Sequence, residues 1–117
     1  MLGSLEQRIM NILWASKKPL KAGDVRLSLG QKHAYTTIMT ELKRMTDKKI
    51  LKRELVGKAY VYHPLKNKAG FAKTYLCPHY ISLVDSYGPL AISQFVDTLR
   101  NNPEDLKLLQ TYLNGAK

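Results

Sequence analysis

The residues best suited to a chemical task lie between Ala34 and Met45, in the run Ala-Tyr-Thr-Thr-Ile-Met-Thr-Glu-Leu-Lys-Arg-Met. At helical spacing Ile38, Leu42 and Met45 form an apolar stripe, and Thr36, Thr37, Thr40, Lys43 and Arg44 form a hydroxyl and cationic face. That face suits a DNA groove. Threonine hydroxyls bond base edges or phosphates and their methyls meet thymine, while Lys and Arg reach guanine or the backbone. The same threonines also serve as ordinary helix-surface residues, so base contact, phosphate contact and plain surface stay open for each. Lys32 and His33, just before the helix, read as phosphate contacts, and Tyr35 either stacks on a sugar or packs against the preceding helix.

Such a helix needs a scaffold on both sides. Downstream, Ile50 to Tyr62 shows partial period-2 alternation on either side of Gly57-Lys58, which predicts a β-hairpin. Lys52, Arg53 and Lys58 are its phosphate candidates. Tyr60 is grouped with them, although packing within paired strands is the plainer role for both Tyr60 and Tyr62. Upstream, Ser4 and Gln7 have the spacing of a capping box before the periodic run Leu5, Ile9, Ile12, Leu13. The first helix then stops near Trp14, because Lys17-Lys18-Pro19 breaks it. A second helix is predicted from Lys21 to Leu29, with Val25 and Leu29 facing the core and Gly30 as a left-handed cap. Lys48 and Lys49 suit the dipole at the end of the third helix. Trp14, Met10 and Met45 are most simply core. Three helices and a basic hairpin, in that order, make residues 1–65 a winged helix-turn-helix DNA-binding domain.

After Pro64 the character changes. Large apolar residues recur in a low-charge stretch, and three helices are predicted: Asn67 to Tyr87 with a kink or break at Pro78, Pro89 to Arg100, and Pro103 to Asn114. Short helices of this total length rarely bury so much apolar surface alone. Residues 66–117 are therefore expected to form a helical dimerisation region, with Phe71, Leu76, Ile81, Leu90, Ile92, Phe95, Val96 and Leu99 at the contact. The alternative is that these helices fold back on the N-terminal domain. The whole chain is thus expected to be mainly α with a small β-hairpin.

Charge narrows the partner class. The 117 residues carry a net charge of +10. Residues 1–65 hold 13 Lys and Arg against 5 Asp and Glu, and the rest hold 6 against 4, so the excess sits with the helix and hairpin. A polyanion on that half is the natural reading, and nucleic acid is the commonest one. The single cysteine, Cys77, excludes an intrachain disulfide. No apolar run approaches the roughly 18 residues of a membrane span and no signal-peptide pattern precedes the first helix, so a cytoplasmic protein without membrane partners is expected. None of H-E-x-x-H, G-x-S-x-G or G-x-x-x-x-G-K-[ST] occurs, and His33, His63 and His79 lack the spacing of a local metal site. No enzyme activity, catalytic residue, metal or cofactor is expected.

Several of these segments together resemble a known family. Leu5-Glu6-x-x-Ile9-Met10-x-x-Leu13-Trp14, Asp24-Val25, Ala34 to Thr40, Leu42-Lys43-Arg44-Met45 and Gly57-Lys58-Ala59-Tyr60-x-Tyr62-x-Pro64 are similar to the penicillinase-repressor family, of the BlaI/MecI/CopY type. The match covers nearly all of 5–65, and the C-terminal half matches loosely through its helix count and Pro103-Glu104-Asp105-Leu106. The resemblance implies a transcriptional repressor that binds palindromic operators as a homodimer through the third helix and the wing. In β-lactam-responsive members repression ends when the dimerisation region is cut at an Asn-Phe bond. Gln94-Phe95 stands there in this chain, and a separate sensor or protease is the further partner this would call for. Copper-responsive members carry a C-x-C pair near the C-terminus, which this chain with Cys77 alone does not. Two other readings remain open beside the resemblance: a sequence-tolerant nucleic-acid binder and a winged-helix module for an acidic protein partner.

Overall fold

The computed structural model describes residues 2–115. The first helix, α1, spans Ser4–Ala15, and it starts one residue earlier than the Ser4–Gln7 box would have it. Gly3 is the extended N-cap residue: its carbonyl accepts from the Gln7 amide at 2.9 Å, and its own amide donates to the Glu6 carboxylate at 3.1 Å. Ser4 is thus already helical, and Gln7 bonds Asn11 instead. Glycine has no side chain to return the bond, so only half of a capping box forms.

After Pro19 the chain makes a two-residue strand, β1 (Leu20–Lys21), which leads into α2 (Ala22–Ser28). Lys21 was expected inside the helix; it is extended and serves as N-cap, its amide donating to Asp24 at 3.1 Å. Helix α2 ends as expected at Gly30, with φ +80. The Gly30 amide bonds the Leu27 carbonyl at 2.9 Å and the Gln31 amide bonds that of Arg26 at 3.1 Å. These two bonds are a Schellman motif.

Helix α3 (Tyr35–Asp47) closes with the same motif, where Lys49 takes the left-handed position at φ 62 and Ile50 and Met45 are both buried. Strands β2 (Leu51–Val56) and β3 (Ala59–Pro64) form the predicted hairpin. A positive φ at Gly57, without one at Lys58, fits the II′ turn that glycine favours at its first position. β1 pairs antiparallel to β3, giving a three-stranded sheet in the order β1-β3-β2.

One core holds these elements together. Ile9, Met10, Leu13, Val25, Leu29, Ile38, Leu42, Met45, Leu51 and Tyr62 are buried in it. The remainder is helical: α4 (Lys68–Tyr87), α5 (Pro89–Arg100) and α6 (Pro103–Leu113). α4 is continuous through Pro78, so no break occurs there. The proline ring nitrogen still cannot bond the carbonyl of Thr74. Two compact units result, 1–74 and 75–117, whose division falls within α4 rather than after Leu65.

The reason is Phe71. It is only 9% exposed and belongs to the first unit's core. Its ring meets that of Trp14 edge-on at 5.2 Å between centroids, and the Trp14 indole donates to the Lys66 carbonyl at 3.1 Å. Phe71 is therefore removed from the set expected at the dimer contact. An aromatic pair of this geometry is worth about 0.5 to 1.5 kcal/mol beyond the area it buries.

Candidate nucleic-acid interface

α3 presents two faces, and the sequence periodicity decides which is which. Ile38, Leu42 and Met45 are fully buried, and Tyr35, Thr36, Thr37, Met39, Thr40, Lys43, Arg44 and Asp47 are exposed. Thr36, Thr40, Lys43 and Asp47, at i, i+4, i+7 and i+11, form the ridge farthest from the buried stripe. Thr37 and Arg44 flank that ridge on one side and Met39 on the other. The carboxylate of Asp47 would repel a phosphate, so the part of α3 fit to enter a groove is the stretch before it, through Arg44. Met39 and Asp47 are additions to the surface inferred from sequence. Both are legible from the same periodicity.

Hydrogen bonding constrains what these side chains can offer. The Thr40 hydroxyl donates to the Thr36 carbonyl at 2.8 Å, which leaves its methyl and an acceptor lone pair for a ligand. Arg44 pairs with Glu41 at 3.2 Å, with the arginine side chain 65% exposed. So exposed an ion pair is weak and yields readily to a phosphate. Beyond α3, Lys48 bonds Glu6 at 3.3 Å and ties the end of α3 to the start of α1. The Glu6 carboxyl is lowered from its ordinary 4.5, first by the Gly3 amide and then by Lys48, against the opposing effect of burial.

The segment before α3 behaves less simply. Lys32 is exposed, as a phosphate contact must be. His33 is half-buried, and its Nδ1 is buried without a hydrogen-bond partner among the described residues, so that nitrogen faces no phosphate. The His33 carbonyl accepts from Nε of Arg26 at 2.8 Å. Nothing local in the sequence marks Arg26, because the turn it bonds lies seven positions on.

In the hairpin, strand alternation puts Lys52 and Arg53 on opposite faces. Leu51, Arg53 and Leu55 lie on one face opposite Pro64, Tyr62 and Tyr60, whereas Lys52 and Glu54 lie on the other opposite His63 and Val61. Arg53 reaches diagonally over the Tyr60 ring at 4.2 Å, a cation–π contact that holds the guanidinium on the wing. Tyr60 is exposed and Tyr62 is buried, so the two tyrosines part roles. Lys58 stands exposed at the turn. Lys21, paired with Val61, adds a cation to the Lys52 face that only the β1–β3 pairing reveals. Across from it, Glu54 and His63 approach at 3.8 Å.

The second unit carries the residues expected at a dimer contact. Leu76, Ile81, Leu90, Ile92 and Phe95 are exposed, and Val96 and Leu99 are half-buried. Leu83, Tyr87, Leu90, Ala91 and Gln94 line an apolar groove of about 430 Å³. Neither α5 nor α6 has a buried residue. The Gln94–Phe95 bond lies within α5, so a protease reaches it only when that helix opens. Among the described residues no group of three or more His, Cys, Asp or Glu could hold a metal, and no helix is long and apolar enough to cross a membrane.

The model of the penicillinase repressor family matches residues 2–115. The chain belongs to the penicillinase repressor family. Its first unit has the winged-helix arrangement, three helices with a β-hairpin in a three-stranded sheet. The transcriptional regulator BlaI of Mycobacterium tuberculosis, in each of two strains, is 32% identical over 69 residues, which cover 57% of this chain and 50% of the relative. The aligned region is thus about half the length of these curated relatives. A solved structure of a ZitR mutant from Lactococcus lactis shares the fold with a TM-score of 0.51 at 13% identity, covering 98% of this chain and 73% of that one. A MarR/EmrR family regulator from Acinetobacter sp. ADP1 reaches 0.48 at 14% identity, over 92% of this chain and 78% of that one.

Proposed function

We propose that this penicillinase-repressor-family protein is a sequence-specific repressor that acts as a homodimer on palindromic DNA operators in the cytoplasm. The observation that carries the reading is the division of α3 into a fully buried stripe and an exposed face of threonines with Lys43 and Arg44. Residues 1–65, with their core completed by Phe71, take the DNA-binding role; the helices that follow take the dimerisation role. Thr36, Thr37, Thr40 and Lys43 are assigned to bases and nearby phosphates, and Lys32, Arg44, Lys52, Arg53 and Lys58 to the backbone. Tyr35 and Tyr60 border this surface.

Dimerisation is supported by what the second unit leaves uncovered. Phe95 is 51% exposed and Ile92 58%, on an α5 with no buried residue. Contiguous apolar surface of this kind marks an interaction site. A second copy covers it with a closed two-fold contact, and two recognition helices then face a palindrome.

The test is titration of a palindrome, selected by the protein from random DNA, against a scrambled sequence over a range of salt. The expected result is tight, discriminating binding to the palindrome by a dimer. Equal affinity for both sequences with a steep salt slope would instead identify a sequence-tolerant electrostatic binder.

A further inference from the structure

We propose that Arg26 is a positioning residue for sequence reading: it braces the turn between α2 and α3 and thereby fixes how α3 enters the groove. The inference rests on the DNA-binding reading above. Arg26 bonds both ends of the turn. Its carbonyl accepts from the Gln31 amide at 3.1 Å, and its Nε donates to the His33 carbonyl at 2.8 Å in a part-buried position.

The turn needs such a brace. Gly30 and Gln31 are successive left-handed residues, with φ +80 and 58, and the second is a side-chain-bearing residue in a conformation that disfavours it. Ala34 is the N-cap of α3 and has no side-chain group with which to cap it. His33 Nδ1 has no partner among the described residues, so its ring adds no hydrogen bond from that nitrogen. Among the described residues the Arg26 bond is thus the side-chain hydrogen bond that anchors the last residues before Tyr35. Ile38 and Leu42 keep α3 in the core without it. What the brace sets is the position of Thr36 and Thr37 at the front of the helix.

Guanidinium geometry makes this testable, because Nε sits in a rigid fork that lysine lacks while both carry the same charge. Wild type, Arg26→Lys and Arg26→Met are compared for affinity to palindrome and scrambled DNA across salt, for thermal melting, and for amide exchange over residues 31–36. Arg26→Lys is expected to lose about tenfold in palindrome affinity, on the order of one base contact. Its scrambled-DNA affinity and salt slope should stay as in the wild type, and exchange at Lys32 to Thr36 should quicken.

A folded Arg26→Lys with unchanged discrimination and unchanged exchange overturns the brace. So does an Arg26→Met whose affinity for both sequences falls equally with a salt slope reduced by about one, the signature of a plain phosphate contact. If Arg26→Met fails to fold, the lysine variant decides. Failure of the wild type to discriminate would sink the repressor reading, and the exchange data would still judge the brace.

Discussion

At the scale of single residues, the surface of α3 separates what reads from what holds. The hydroxyl hydrogen of Thr40 is engaged by the Thr36 carbonyl, so the methyl is the group it presents most freely. Thr40→Val should therefore keep any thymine preference that Thr40→Ser loses, as base-by-base binding profiles would reveal. Lys58→Ala at the exposed wing turn should weaken binding to every sequence and reduce the salt slope by about one unit, whereas Thr37→Ala or Lys43→Ala should relax preference at particular base pairs. Equal losses on specific and scrambled DNA for all three would reverse the division of roles. Glu6 gives a prediction about pH. Its folded pKa is lowered, so it contributes stability above its ordinary value of 4.5 and that contribution is lost as pH falls below it. Thermal melts of Glu6→Gln across acid pH should show a flatter decline than wild type.

The elements are bounded by caps whose chemistry differs although their geometry is shared. Gly30 and Lys49 hold equivalent left-handed positions after α2 and α3. Apart from its two chain neighbours, none of the described residues comes within 4 Å of where a Cβ at Gly30 would sit, so its replacement meets a backbone penalty alone. Gly30→Ala should cost about 1 to 2 kcal/mol in chemical denaturation. Lys49→Gly should move the other way by up to about 1 kcal/mol, less the entropy that glycine adds to the unfolded chain. Matching losses at both sites would show that φ is not what governs them. The positive φ at Gly30 and at Gly57 was legible from sequence because turn chemistry is local. The Gly3 cap was misplaced by one residue, since Ser4 and Gln7 offer the same spacing as Gly3 and Glu6.

For the whole molecule the decisive contrast is between two phenylalanines. Phe71 is packed against Trp14 in the first unit, and Phe95 is exposed on α5. Phe71→Ala should cost about 3 to 5 kcal/mol of stability in the 1–74 unit, as a buried phenylalanine does. Phe95→Ala should leave the melting of that unit unchanged while giving a monomer-prone protein that binds a palindrome no better than a half-site. Sedimentation and calorimetry on the two variants separate these outcomes, and a dimer of wild-type stability from Phe95→Ala would remove α5 from the proposed contact. In the dimer the half-sites should repeat at about one helical turn, roughly 10 bp, or a multiple of it.

The sequence by itself determined the order of helices and hairpin, the buried stripe of α3 and the basic character of that half, because periodicity, turn residues and charge act over a few neighbouring positions. Tertiary structure decided the rest. A two-residue strand has no pattern to detect, so β1 and its cation Lys21 emerge only from pairing with β3. Phe71 and Phe95 are alike as apolar residues on helices, and only the presence of Trp14 beside one of them assigns it to the first core. Arg26 is an unremarked helix residue until the turn brings the His33 carbonyl within 2.8 Å of it. Each of these depends on which distant groups the folded chain brings together, and spacing along the sequence does not encode that choice.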